Sequence, residues 1–200
     1  MIKSKSQFLF NAIASIYNLF YAYQKKQFLA IVQNPDVSHV LKAKISILDV
    51  GSGTGALASV FHDLGYQVTG VDFASNMVKK AQANPKHKHI SFMQGNILDG
   101  LPFEDNSFDL VIASFVAHGM KQKERLRMYA EMKRVSKGTV ILHDYNSKRK
   151  GLISLVEGLE QGDYFNFIRQ SPQELEAVFT QVKQIPVGEY ASWYVCSVKS

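Results

Sequence analysis

Short apolar runs alternate with longer amphipathic stretches over most of the chain, and that alternation restricts the fold more than any other feature. Ile45 to Val50, Gln67 to Val71, Ile90 to Met93, Phe108 to Ser114 and Thr139 to His143 have the length and composition of strands, while stretches near 54–64, 75–83 and 121–136 have helical spacing. Strand and helix in turn generate βαβ units, whose parallel sheet is covered on both faces. An α/β, doubly wound sheet is the expected fold. Towards the C-terminus a helix near Pro172 to Phe179 leads into two strand-like runs, Gln181 to Pro186 and Tyr190 to Val198, close enough to pair as an antiparallel hairpin at the sheet edge. The chain has 200 residues, 46% of them apolar, enough for one sizeable core, so a single domain is expected.

The first 33 residues follow a different rule. Phe8, Ile13, Ile16, Phe20 and Leu29 recur roughly at helical spacing, with Asn11, Ser15, Asn18 and Gln24 interrupting them. An amphipathic helical segment is expected there rather than a leader or a stable membrane insertion, because no run reaches the ~18 apolar residues of a span. Cys196 is the only cysteine, which rules out an internal disulfide and makes a reducing, cytoplasmic setting the simpler expectation. The net charge of +6 raises the question of nucleic acid, since basic residues gather at Lys121, Lys123, Arg125 and Arg127, at Lys133 and Arg134, and at Lys148, Arg149 and Lys150. A solvated helix face accounts for the first two groups, and no aromatic-rich basic stripe accompanies them; no nucleic-acid partner is expected. The run Lys86-His87-Lys88-His89 is cationic and would oppose a divalent ion, so no metal site is expected either.

Ligands of an open parallel sheet bind beyond the carboxyl ends of its strands. The first strand ends at Asp49-Val50, and Gly51, Ser52, Gly53, Thr54 and Gly55 form the turn into the first helix of the alternating region. Glycine there permits positive φ and a close approach to the backbone, and the helix N-terminus behind it offers unpaired N–H groups. About twenty residues on, Val68-Thr69-Gly70-Val71-Asp72 places a second carboxylate at a strand end, where an acid accepts ribose hydroxyls or caps the helix starting near Ser75. A nucleoside is therefore expected, and two cofactor classes fit it. Gly51, Gly53 and Ala56 satisfy the loose dinucleotide fingerprint, and both Tyr129 to Lys133 and Tyr21 to Lys25 match the Tyr-x-x-x-Lys of short-chain dehydrogenases, a repetition that shows how little that spacing means. Asp49 discriminates between the classes, because a fixed negative charge beside the turn repels a pyrophosphate and suits an ammonium.

The segments ILDVGSGTG, GVDFASNMVKKA and GNILDGLPFEDNSFDLVIASFVAHGM together resemble the class I S-adenosylmethionine-dependent methyltransferases, in the small-molecule branch related to the ubiquinone and menaquinone enzymes (methyltransferase type 11). The resemblance runs from about Ile47 to Ile141. It implies a Rossmann-like sheet of seven strands with the last strand antiparallel, an N-terminal helical lid over residues 1–33, a cofactor-binding core over 45–145 and substrate-side elements over 146–200. It also implies S-adenosyl-L-methionine as cofactor. Asp49, Gly51, Ser52 and Gly53 would then line the methionine and ribose side, with Asp72 on the ribose hydroxyls and Ser114 at the fourth strand's end. Phe73 and Met77 would lie against adenine, core packing being the alternative for both. Where the family usually has an acidic residue this chain has Asn96, which keeps a carbonyl acceptor, with the Ile97 backbone on the ring edge and Asp99 as a rival for the acidic role. Before the fifth strand Val135-Ser136-Lys137-Gly138-Thr139 is expected to be a turn with one glycine where the family often has two.

Methyl transfer is an in-line displacement, so the protein must align a nucleophile and exclude water. A general base is needed only if the acceptor must lose a proton. His118, in Ser114-Phe115-Val116-Ala117-His118-Gly119, is the candidate base, and His143-Asp144-Tyr145 could orient substrate or cap a helix. Tyr17, on the same face as Tyr21 one turn away, resembles the lid tyrosine that lies near the methyl group in these enzymes. The aromatic lid, with Tyr164, Phe165 and Phe167, suggests a small apolar or aromatic acceptor. Two readings stay open beside this one: a nicotinamide-dependent reductase, and a non-catalytic module that holds S-adenosylmethionine without turnover. The oligomeric state is not legible.

Overall fold

The computed structural model describes residues 21–41, 45–146 and 163–198. Two compact units make up the chain, residues 1–101 and 102–200. In the first, helix α1 (Tyr21–Val32) is followed by a helical turn at Pro35–Ser38, then β1 (Ser46–Val50), α2 (Ala56–Asp63), β2 (Gln67–Asp72), α3 (Ser75–Ala83) and β3 (Ser91–Gln94). The three strands are parallel, with Asp49 opposite Gly70, Gly70 opposite Phe92 and Asp72 opposite Gln94. Residues 47–50 are buried without a break, which is why β1 reads as a continuous apolar run rather than an alternating one. A methyl group built on Gly70 would stand 2.5 Å from the Phe92 ring, so the glycine inside β2 is the gap that this ring fills. The ring of Phe92 also closes over Gly55.

Helix α1 is tied to this unit by polar contacts that its sequence did not announce. Lys25 donates from Nζ to Ser59 Oγ at 2.8 Å and pairs with Asp63 at 2.7 Å, while the Tyr21 hydroxyl lies 2.7 Å from Nε2 of His87. His87, read from sequence as part of a cationic run, is buried, and burial holds its pKa below the ordinary value. Tyr17 and most of the expected lid lie outside the described residues.

The second unit holds β4 (Phe108–Ser114), α4 (Gln122–Val135), β5 (Ser136–Tyr145), α5 (Tyr164–Val178), β6 (Gln181–Pro186) and β7 (Ala191–Ser197). Strands β4 and β5 are parallel, and β7 runs antiparallel to both β5 and β6. The seven strands form one sheet in the order β3-β2-β1-β4-β5-β7-β6, an α/β Rossmann-like architecture with its last strand antiparallel. The hairpin expected at the C-terminus therefore has its final strand inside, against β5, and its first strand at the edge. No helix among the described residues is long and apolar enough to cross a membrane.

Three local expectations change. Val135 to Thr139 is not a turn: α4 runs directly into β5, and between Phe108↔Ser136 and Leu110↔Thr139 the longer strand carries one extra residue, a bulge. Ser136 Oγ donates to the Thr139 carbonyl at 3.0 Å across it. Helix α5 begins at Tyr164 and continues through Pro172, where the sequence placed its start. A proline inside a helix removes one backbone bond. Tertiary contacts hold the two halves together, because Arg125 grips both Asp163 at 2.9 Å and Glu174 at 2.6 Å. That same contact corrects the reading of Arg125 as part of a solvated face: its side chain is 0% exposed and makes a two-pronged bond to Glu174, besides donating to the Met120 carbonyl. A buried guanidinium is tolerated only when paired in this manner.

Candidate functional site

In the first unit the turn after β1 is a left-handed backbone: Gly51, Gly53 and Gly55 have φ of 70°, 55° and 84°. Side chains adopt such angles at a cost, so alternation of glycine here is a backbone requirement. The N–H groups of Gly51 and Ser52 both donate to the Val71 carbonyl, at 2.7 and 3.0 Å, which anchors the turn on β2. Gly53 N donates to Asp72 Oδ2 and Ala74 N to Asp72 Oδ1, each at 2.8 Å. Asp72 thus ties the glycine turn to Ala74, the residue before α3, while the helix itself has no side-chain cap. Each of its oxygens keeps a further lone pair. Burial raises its pKa, against the pull of the two backbone bonds.

Asp49 is 1% exposed, and its Oδ2 has no hydrogen-bond partner among the described residues. Burial first, and then the charge of Asp72, push its pKa up to about 8, opposed by a backbone hydrogen bond from Ala58. Asp49 by itself is thus mostly protonated near pH 7, not the fixed negative charge expected from the sequence, and a cation placed beside it would draw the proton off. Space beside the turn is open at Gly53, where an added methyl group would meet nothing within 4 Å. An enclosed acceptor next to a bare, left-handed main chain fits the ammonium and ribose end of S-adenosylmethionine. Ser52 turns its hydroxyl inward, 2.9 Å from the point where a Cβ on Gly70 would sit, so it presents main chain to the turn's open side.

The next residues of the sequence-derived set follow β2 and β3. Phe73 is half-buried and its carbonyl accepts from Gln94 Nε2 at 3.0 Å. Met77 is buried against Ala74, in keeping with the core-packing alternative. Asn96 is exposed: its Oδ1 accepts from Leu98 N at 3.1 Å and its Nδ2 donates to Asp99 Oδ2 at 3.0 Å. The two rivals for the acidic role are therefore one hydrogen-bonded pair, with Ile97 buried beneath them. Gln94 was missed from sequence; a polar residue at the last position of a strand, opposite Asp72, was the available signal.

In the second unit the ends of β4 and β5 bring a polar and aromatic group together. Ser114 Oγ lies 3.0 Å from His143 Nδ1. His143 is buried, and burial draws its pKa down to about 4 against the opposing charge of Asp144, so the ring is neutral near pH 7. His118 Nδ1 sits 2.8 Å from Asp144 Oδ1. Phe115 has φ of 53°, rare for a residue with a bulky side chain, and its N–H donates to the His143 carbonyl at 2.8 Å. That backbone turn leaves the Phe115 ring 40% exposed, with centroids 4.7 Å from His143 and 5.2 Å from Tyr145. Tyr145 in turn contacts Tyr164, and Tyr164 contacts Phe165. Phe167 does not join this group; it is buried in the core under the Arg125 guanidinium.

Residues 48–142 match the family described as "Methyltransferase domain". Among curated relatives, the chain is 29% identical over 145 residues to a ribosomal protein L11 methyltransferase of Dictyoglomus turgidum, covering 66% of this chain and 46% of that one. It is 33% identical over 102 residues to a demethylmenaquinone methyltransferase of Renibacterium salmoninarum, covering 50% and 41%. The chain spans less than half the length of either relative. Its fold is like that of a SAM-dependent methyltransferase from Aquifex aeolicus, with a TM-score of 0.64 at 20% identity over 90% of this chain and 98% of that one. The family match over residues 48–142 and a seven-stranded sheet with its last strand antiparallel agree with the glycine turn and its two carboxylates, and the fold is that of the S-adenosylmethionine-dependent methyltransferases.

Proposed function

We propose that this protein transfers a methyl group from S-adenosylmethionine to a small acceptor with apolar or aromatic character. The observation that carries the reading is Asp49, a buried acid with one oxygen that has no partner among the described residues, beside an open, left-handed glycine turn. Bound there, the cofactor supplies a methyl group on a positively charged sulfur. Asp49, Gly51, Ser52 and Gly53 bind its amino-acid end and ribose; Asp72 accepts from the ribose hydroxyls with its remaining lone pairs. Phe73, Met77, Asn96 and Ile97 line the adenine side, and Ser114 stands at the end of β4.

Acceptor binding is assigned to the aromatic group around Phe115 and Tyr145, with His118 as the base and Tyr17 as the lid residue near the transferred methyl. One relative is named for a ribosomal protein and another for demethylmenaquinone. Exposed Phe115 flanked by Tyr145 favours the second kind, a flat apolar acceptor. Internal pairing of the basic residues on α4 speaks against nucleic acid: Arg125 is buried, Lys133 donates to the Val178 carbonyl, and Arg134 binds Glu131 and Asp105. A buried, single cysteine supports action in the cytoplasm.

Thermal unfolding with S-adenosylhomocysteine and with NADH separates this reading from a nicotinamide-dependent reductase. Stabilisation by S-adenosylhomocysteine alone is expected. Stabilisation by NADH alone would overturn the assignment, and S-adenosylhomocysteine binding without its formation across an acceptor panel would favour a non-catalytic module.

A further inference from the structure

Asp144 accepts four hydrogen bonds of two kinds at the end of β5, with its side chain only 2% exposed. Oδ2 takes the backbone N–H groups of Ala117 at 3.0 Å and His118 at 3.3 Å, which fixes the 3-10 turn Ala117–Gly119. Oδ1 takes the backbone N–H of Tyr145 at 2.9 Å and lies 2.8 Å from Nδ1 of His118. A carboxylate oxygen only accepts, so the ring nitrogen facing it carries the hydrogen. A neutral imidazole has one N–H, and its lone pair is then on Nε2.

Resting on the methyl-transfer reading, we infer that Asp144 is a positioning residue: it holds His118 as the Nδ1–H tautomer and so makes Nε2 the proton acceptor for a nucleophile that must be deprotonated before it can take a methyl group. The acceptor class that needs this is one whose nucleophilic atom bears a hydrogen, such as a hydroxyl on an aromatic ring. The proton passes from that oxygen to Nε2, giving an imidazolium whose charge Asp144 balances. The pair left on oxygen forms the new bond to the methyl carbon as the carbon–sulfur pair stays on sulfur, and the imidazolium returns its proton to water. Among the described residues the rings of Tyr145 and Phe115 stand 4.8 and 6.4 Å from that of His118 between centroids, and Asp144 is a charged group in hydrogen-bond contact with it.

Asp144→Asn discriminates this role from a structural one. An amide offers one oxygen and one NH2 group; two backbone donors meet it at the Oδ2 position and one, the Tyr145 N–H, at Oδ1, so the oxygen goes to Oδ2 and the bond from Tyr145 is given up. The NH2 then faces Nδ1 of His118, which can meet it only as an acceptor, so the ring must switch to the Nε2–H tautomer. Long-range nitrogen–proton NMR of the histidine-labelled, ligand-free protein reads the tautomer directly, with His118→Gln identifying the signals. The expected result is Nδ1–H in the wild type and Nε2–H in Asp144→Asn. An Nε2–H ring in the wild type, or an unchanged Nδ1–H ring in a folded Asp144→Asn protein, overturns the inference. Should that variant fail to fold, the wild-type spectrum still decides. Thermal stabilisation by S-adenosylhomocysteine, measured on the same wild-type sample, tests the methyltransferase reading separately.

Discussion

Replacing Asp49 by asparagine should change how stability depends on pH more than it changes stability itself. The native carboxyl has been moved from its ordinary value of 3.8 to about 8, chiefly by burial. At pH 6 it keeps a proton that the unfolded chain has released, so the unfolded state binds fewer protons and stability falls as pH rises. The loss begins near pH 4, accumulates at about 1.4 kcal/mol per pH unit, and ends once the native group ionises near pH 8. Between pH 5 and 7 that amounts to about 3 kcal/mol at most, with relaxation and water entry reducing it. Asparagine has no proton to lose, and its amide copies the shape of the neutral acid. Denaturant unfolding of both proteins at half-unit pH steps gives the difference in stability, in which the contributions of all other groups cancel. The difference should move steadily in favour of the Asp49→Asn protein as pH rises. A difference constant to within about 0.5 kcal/mol over that interval would refute the claim that Asp49 is protonated in the native state. Calorimetry with S-adenosylhomocysteine in buffers of different ionisation enthalpy extends the test, since an ammonium placed beside Asp49 should expel up to one proton from the wild type near pH 7 and none from Asp49→Asn.

Asp72→Ala removes the acceptor of Gly53 N and Ala74 N together with the proposed ribose acceptor; S-adenosylhomocysteine affinity should fall more than tenfold, each charged hydrogen bond being worth about 1.5 to 3 kcal/mol, and unchanged affinity in calorimetry would count against the assigned pocket. His143→Gln should flatten the acid side of the stability curve, because a histidine whose pKa is depressed to about 4 stabilises the fold above its ordinary value of 6.5 and loses that contribution as pH falls between the two; equal slopes for both proteins in urea titrations would show that the ring is not held neutral. Glu174→Gln leaves Arg125 buried with half of its two-pronged partner gone, and thermal unfolding should report a loss of about 3 to 5 kcal/mol, a change under about 1 kcal/mol being evidence that Arg125 is hydrated.

Strand positions and the glycine turn were legible because they answer to local rules: an apolar run buried on both faces, and a left-handed backbone at Gly51, Gly53 and Gly55. Both carboxylates could be placed at strand ends for the same reason. Arg125 was misread because nothing within α4 records its partners, which lie 38 and 49 residues away. Pro172 misled for a related reason, since a local rule that starts helices at proline gave way to the tertiary grip on Asp163 and Glu174. The partnership of His118 with Asp144 crosses 26 residues and two neighbouring strands, so each residue was visible and the pair was not.

The extra residue in β5 governs more than its own neighbourhood. Successive side chains of a strand point to opposite sides, so one inserted residue near Gly138 sets the phase of everything downstream. Excising Gly138 would rotate the tail of the strand by half a period and exchange the sides served by Asp144 and by His143 with Tyr145. The geometry by which Asp144 meets His118 is thus decided at the opposite end of the strand, where Lys137 and Gly138 together stand against the single residue Asp109.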